Sequence, residues 1–111
     1  MVSIRLQLRL DDATRIGHGK VALLEEIDKT GSISAASRAL GMTYRRGWEL
    51  LDHMNKAFGQ PVVTGTTGGL GGAELTPLGR DIISQFRAIE AELTQIATPR
   101  LRQIENLLEN A

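Results

Sequence analysis

Two adjacent arginines, Arg45 and Arg46, are the side chains of this sequence best suited to bind a nucleic acid. Guanidinium groups bind phosphate oxygens, and they can donate two parallel hydrogen bonds to the edge of a guanine. The pair follows Gly41, a residue type that ends helices, and Thr43, a residue type that caps the start of a helix. We therefore expect both arginines near the N-terminus of a helix, on its solvent side.

The segment around the arginines predicts a short helix, a glycine turn and a longer helix. The short helix has Ser34 as its N-cap and ends at Gly41; the longer one starts after Thr43 and ends at Gly59. In the longer helix an apolar stripe repeats at spacings of three and four residues, through Gly47, Leu51, Met54 and Phe58. This order is typical of a helix-turn-helix, whose second helix enters the major groove of DNA. A solvated helix face on a small bundle is the alternative interpretation.

The charge balance counts against DNA binding, since domains that bind nucleic acids are usually basic. The 111 residues include 13 Lys or Arg and 13 Asp or Glu. Residues 1–56 carry nine basic and seven acidic side chains, and residues 57–111 carry four and six. The length fits one domain with a modest core.

No arrangement of side chains in the sequence indicates catalysis or metal binding. His18 and His53 lie in different predicted elements, and the adjacent Asp11 and Asp12 are weak evidence for a metal site. The sequence has no cysteine, so disulfides and thiolate metal sites are excluded. We therefore predict that the chain is not an enzyme and binds no cofactor and no metal.

The elements before the helix-turn-helix are predicted from alternation and periodicity. Residues 2–10 alternate between polar and apolar types, which predicts a half-buried strand. Residues 11–19 read as a polar loop, and residues 20–30 as a helix that Gly31 ends. The N-terminus lacks the apolar stretch of a signal peptide, and no run approaches the length of a membrane span. We expect a cytoplasmic protein.

The region after the helix-turn-helix predicts two short strands, at residues 60–64 and 73–76, joined by a glycine-rich tip. Such a pair directly after a helix-turn-helix forms a wing. A disordered surface loop is the alternative. A phosphate-binding enzyme loop is a poor fit, because no Gly-Lys-Ser/Thr follows and the next predicted element is a strand.

The last long element is a helix that starts with Thr76 as its cap and Pro77 in its first turn. Its apolar residues form a narrow seam: Leu78, Ile82, Phe86, Ile89, Leu93 and Ile96. Such a seam can pack on the domain's own core or on a partner helix, and the small size of the domain favours a second copy of the chain. We predict dimerisation through Ile82, Phe86, Ile89, Leu93 and Ile96. Thr98 and Pro99 are expected to break the helix before a short amphipathic tail.

The predicted fold is mainly α with a small β component: a winged helix-turn-helix with a leading strand over residues 1–76, and a C-terminal helical dimerisation segment over residues 77–111.

Together these features resemble the N-terminal DNA-binding domain of ModE-type, molybdate-responsive regulators, which is itself similar to the winged helix-turn-helix of LysR-type regulators. The resemblance spans nearly the full chain and is strongest from Gly31 to Asn55. It implies a dimeric transcription factor that binds double-stranded DNA at a palindromic operator. The positions at which the family approaches DNA correspond here to Ser34, Thr43, Tyr44, Arg45 and Arg46. Arg45 and Arg46 would read bases, and Thr43 and Tyr44 would hold the backbone.

The sequence departs from the family pattern in two ways. The molybdate-binding domains of full-length members have no counterpart in these 111 residues, so we expect no molybdate binding by this chain. The wing has no Lys or Arg between Val63 and Ala73, so its phosphate contacts would come from backbone N–H groups and from Thr66 and Thr67. The rival interpretation is a protein-interaction adaptor that uses the same fold and the apolar C-terminal helix.

Overall fold

A computed structural model describes residues 1–65 and 72–110 of the chain. Its four described helices are α1 (His18–Thr30), α2 (Ile33–Ala39), α3 (Tyr44–Phe58) and α4 (Pro77–Glu109). Its described strands form two antiparallel pairs, β1 (Gln7–Arg9) with β2 (Arg15–Gly17) and β3 (Val63–Gly65) with β4 (Ala73–Leu75). The predicted fold class, a mainly α winged helix-turn-helix with a long C-terminal helix, is confirmed.

Most helix ends lie where the capping residues predict them. The hydroxyl oxygen of Thr43 accepts a hydrogen bond from the Arg46 amide at 3.0 Å, and α3 ends at Gly59 with a positive φ of 69°. The predicted N-cap of α2 is wrong by two residues: Ser32, not Ser34, accepts a bond from the Ala35 amide. The earlier start places the buried Ile33 inside the helix, where it packs in the core.

The N-terminal region differs from the sequence prediction. The predicted strand over residues 2–10 is paired only at β1, and β2 lies in the segment predicted as a loop. The two strands meet because the Asp11 carboxylate accepts hydrogen bonds from the Ala13 and Thr14 amides at 2.8 and 2.7 Å. This Asx-type turn reverses the chain within a few residues and buries Ile16 against the core. The same hydrogen bonds lower the pKa of the Asp11 carboxyl.

One apolar core joins α1, α2, α3, the β3–β4 pair and the start of α4. The approach of α3 to α2 is close because Gly47 has no side chain: a Cβ there would overlap the Ser37 hydroxyl. That hydroxyl is buried and donates to the Ile33 carbonyl at 2.7 Å. The Gly47–Ser37 contact therefore sets how deeply α3 sits on the rest of the domain.

The C-terminal helix is longer than predicted. The expected break at Thr98 and Pro99 is wrong, because α4 continues through Pro99 to Glu109. A proline inside a helix costs one main-chain hydrogen bond and is commonly accommodated by a kink. The residues on both sides of Pro99 are mainly good helix formers. At 33 residues, α4 has a length of about 50 Å and sets the longest dimension of the molecule, 58 Å. Within the described ranges, no helix is long and apolar enough to cross a bilayer.

Candidate nucleic-acid interface

The outer face of α3 presents the two arginines to solvent, as the sequence predicts. The side chain of Arg45 is 91% exposed and that of Arg46 is 55% exposed. Both pair with Glu49, at 3.6 Å for Arg45 and 3.3 Å for Arg46. Such exposed pairs along a helix are worth only about 0.3–0.5 kcal/mol. Either guanidinium can therefore leave Glu49 for a stronger anionic partner at little cost.

One flank of α3 is aromatic and faces the wing. Tyr44 and Trp48 are exposed and meet edge to face, with ring centroids 6.2 Å apart. Together with Ser34 of α2 and the ends of β3 and β4, they line a groove of about 510 Å³. The Ser34 hydroxyl oxygen accepts a bond from Arg38 at 3.3 Å. Thr66 and Thr67, the predicted wing contacts, lie outside the described residues.

The other flank of α3 is basic, and the sequence did not predict it. Arg46 shares a cleft with three other basic residues: Arg5 just before β1, Arg15 of β2 and Lys20 of α1. Sequence reasoning missed this cluster because it treated residues 11–19 as a loop, so nothing brought Arg15 towards α3. The Asp11-Asp12-Ala13-Thr14 turn between two short alternating stretches was the available signal.

Asp11, His18 and His53, for which the sequence indicates no catalytic or metal-binding role, lie in the N-terminal turn and along the basic cleft. The Asp11 carboxylate is engaged in its turn, while His18 and His53, distant in sequence, line the same basic cleft. In the part of the chain that the structure describes, no group of three or more His, Cys, Asp or Glu side chains could hold a metal ion.

A network of ion pairs links α4 to α1. The Arg87 guanidinium donates to Glu25 of α1 at 3.1 Å through Nε, and to Glu90 of α4 at 2.6 Å. It also lies 3.4 Å from Nδ1 of His18. The hydrogen bond from Arg87 lowers the pKa of the Glu25 carboxyl. Arg80 makes a second link to α1, 2.8 Å from Asp28.

The predicted dimerisation seam divides into two parts. Ile82 and Phe86 are buried in the core of their own protomer, so they offer almost no surface to a partner. The physical reason is that the first turns of α4 pack on the domain, where Gly79 lies against the Val62 carbonyl. Ile89 and Leu101 are half-buried, and the other large apolar side chains of α4 beyond Ile89 are exposed: Leu93, Ile96, Ile104, Leu107 and Leu108.

The N-terminal residues cover a different side of α4. The Val2 amide donates to the Glu105 carboxylate at 3.1 Å, and Ile4 and Leu6 line a groove with the Glu90–Gln95 stretch. On a helical wheel this flank is rotated from the row formed by Leu93, Ile96 and Leu107. That row therefore remains uncovered in a single protomer.

The comparisons with known proteins agree with this geometry. The family model described as "Bacterial regulatory helix-turn-helix protein, lysR family" matches residues 19–80. The molybdenum-pterin-binding protein MopB of Rhodobacter capsulatus is 45% identical over 84 residues, which are 74% of this chain and 31% of that protein. The molybdenum transport protein ModE of Azotobacter vinelandii is 36% identical over 101 residues, which are 89% of this chain and 37% of that protein. The chain thus spans about a third of the length of these relatives.

Solved structures confirm the fold. A crystal structure of a CbnR_DBD–DNA complex superposes with a TM-score of 0.59 at 18% identity, covering 78% of this chain and 95% of that one. Full-length CbnR complexed with its target DNA gives 0.57 at 19% identity, over 76% of this chain and 28% of that one. The predicted resemblance to ModE-type regulators is likewise confirmed. The chain belongs to the lysR family of bacterial regulatory helix-turn-helix proteins, and among them it is similar to ModE.

Proposed function

We propose that this chain is a sequence-specific DNA-binding transcriptional regulator that acts as a homodimer. The observation that carries the proposal is α3, which buries its apolar stripe and leaves Arg45 and Arg46 exposed at its N-terminal end. Family membership supports the same function, because the matched model describes regulatory helix-turn-helix proteins. A regulator of this kind acts where the bacterial chromosome is, in the cytoplasm.

In this proposal α3 lies in the major groove and its first turn contacts the bases. The guanidinium groups of Arg45 and Arg46 break their ion pairs with Glu49 and bind guanine edges or phosphates. The Thr43 oxygen already accepts a bond from the Arg46 amide, so its hydroxyl hydrogen is left to donate to a phosphate. The exposed Tyr44 hydroxyl offers a second backbone contact, as does the Ser34 hydroxyl beside it. Thr66 and Thr67 would add contacts from the wing.

The homodimer is proposed to form through the exposed apolar row on α4. Ile96 is 79% exposed and Leu107 is 71% exposed, in the same row as Leu93. Burying such side chains between two copies removes apolar surface from water, which is the main driving force for association. The division between the DNA-binding part and the dimerisation part then falls within α4, after Phe86, instead of at Pro77.

The rival function is a protein-interaction adaptor, which the exposed α4 row and the zero net charge favour. Because the chain spans about a third of the length of its relatives, their named roles in molybdenum binding and transport are not carried over here.

Selection of duplexes from a random-sequence DNA library separates the two functions. We expect enrichment of a two-fold symmetric sequence whose half-sites are one helical turn, or a multiple of it, apart, because two-fold dimers place their reading helices in successive grooves. Affinity for the enriched duplex should fall steeply with salt. Failure to enrich any sequence, or affinity independent of salt, would favour the adaptor.

A further inference from the structure

A cleft of about 900 Å³ lies between the β1–β2 hairpin, the start of α1 and one flank of α3. Six of the side chains that line it are basic or imidazole groups: Arg5, Arg15, His18, Lys20, Arg46 and His53. Among the described residues that line it, Asp12 is the only acidic one. We propose that this cleft binds the phosphate backbone of DNA, as an anchoring site separate from the bases that α3 reads; this inference rests on the proposed function.

Most of the basic side chains in this cleft have no carboxylate partner among the described residues; the exception is Arg46, which pairs with Glu49 at 3.3 Å. On the outer face of α3, Arg45 pairs with Glu49 and Lys56 pairs with Asp52 at 2.8 Å. Among the ion pairs of the described residues, none includes Arg5, Arg15 or Lys20. The cleft therefore holds a local excess of positive charge within a chain whose net charge is zero.

Lys20 is held in position for an anion. Its ammonium donates to the Arg15 carbonyl at 2.6 Å, which ties the side chain to β2. Partial burial, and then the positive charge of Arg46, lower the pKa of Lys20. The like charges of Lys20 and Arg46 repel each other, and an anion bound in the cleft between them would relieve that repulsion.

The N-terminus of α1 adds to the positive potential of the cleft. Its N-cap, Gly17, has no side chain to bond the first amides, and Gly19 and Lys20 of the first turn line the cleft. The first N–H groups of a helix lack partners within the helix and carry the positive end of its dipole. Backbone and side-chain donors thus converge on one cleft, a combination suited to phosphate oxygens.

Position identifies the ligand as the DNA backbone. Arg46 belongs both to α3 and to the cleft, so the cleft is continuous with the proposed reading face. A helix in the major groove, about 12 Å wide, has a sugar-phosphate backbone along each side. The wing and the aromatic flank lie on one side of α3, and the basic cleft faces the backbone on the other side. The cleft is broad and open to solvent, which suits a run of phosphates more than an enclosed small ion.

Binding of two 30-base-pair duplexes tests the proposal, one selected from the random library and one of unrelated sequence. Arg15→Gln and Lys20→Gln should each weaken binding of both duplexes by a similar factor. Each should also reduce the slope of log affinity against log salt by about 0.9 for every phosphate that the variant no longer neutralises. Arg102→Gln is the control: Arg102 is exposed on α4 and does not line the cleft, so its slope should equal that of the wild type. Thermal unfolding of each variant checks that the fold is kept.

The outcomes separate this proposal from the proposed function. If Arg45→Ala weakens binding while both cleft variants keep the wild-type affinity and slope, the cleft proposal is wrong and the proposed function stands. If the wild type binds neither duplex, the proposed function itself is wrong. Titration with inorganic phosphate and with sulfate tests whether the cleft binds small free anions. Saturable submillimolar binding of either free ion, abolished in Lys20→Gln, would make the cleft a small-anion site and overturn its assignment to the DNA backbone.

Discussion

The two halves of α4 share one sequence pattern and have different surroundings. From Pro77 to Phe86 the apolar residues pack on the domain, and Phe86 is only 1% exposed. Beyond Ile89 the same spacing continues, yet Ile96 is 79% exposed. Apolar spacing shows that a helix face is to be buried. The spacing alone does not show which surface covers that face. In α4 the first half packs on the domain, while the same face of the second half is exposed.

Phe86→Ala should give the largest effect on the near half. The ring fills the core between α4 and α1, so truncation leaves a cavity and should lower the free energy of unfolding by about 3–5 kcal/mol. Chemical denaturation at a fixed protein concentration measures this, with Arg102→Ala on the exposed half as the control. Equal losses of unfolding free energy in the two variants would contradict the difference in packing between the two halves of α4.

Ile96→Glu should have its main effect between protomers. A carboxylate in the proposed contact would be buried without a partner, which is strongly unfavourable, so the dimer should dissociate. Sedimentation at micromolar concentration should show dimers for the wild type and monomers for the variant, with far-UV circular dichroism unchanged. A monomeric wild type would contradict the assignment of this row to dimerisation.

Gly79→Ala should destabilise the near half by about 1–3 kcal/mol, because overpacking a well-packed contact costs this much. A Cβ at Gly79 would overlap the Val62 carbonyl, and backbone cannot move aside cheaply. Gly19→Ala in α1 is the control, because nothing lies within 4 Å of its added Cβ. Equal melting temperatures for the two variants would show that α4 does not pack this closely.

The smallest effect concerns the ion pair of Arg87 with Glu25, which joins the near half of α4 to α1. The pKa of Glu25 is lowered in the folded state, so its contribution is present above the carboxyl's ordinary pKa of 4.5 and is lost as pH falls below it. The pair is partly exposed, so the loss should be under about 1 kcal/mol. Unfolding curves of the wild type and Glu25→Gln between pH 3 and 7 should converge at the acid end. A constant difference across that range would exclude this linkage.

Sequence reasoning predicted well the features that local chemistry determines. Thr43, Gly59 and Thr76 each cap a helix because the residue type suits the required conformation. The pairing of β1 with β2 is an exception, because its turn is also local: Asp11 accepts hydrogen bonds from its own neighbours, in a segment that was predicted as a loop. The burial of Phe86 was misassigned because tertiary packing decides it. Arg15 and Lys20 were missed as a charge cluster for the same reason: they reach Arg46 only through the fold.

The proposed contact between the first turn of α3 and the DNA bases can be tested directly by one binding measurement. Affinities of the wild type and of Arg45→Ala are compared on the selected duplex and on single-base variants of each half-site, with Arg102→Ala on the far half of α4 as the control. Arg45→Ala should lose about 1–3 kcal/mol of binding free energy, or roughly 5- to 150-fold in Kd, and should no longer discriminate at one base pair of each half-site. Wild-type affinity and wild-type discrimination in Arg45→Ala would contradict the proposed contact.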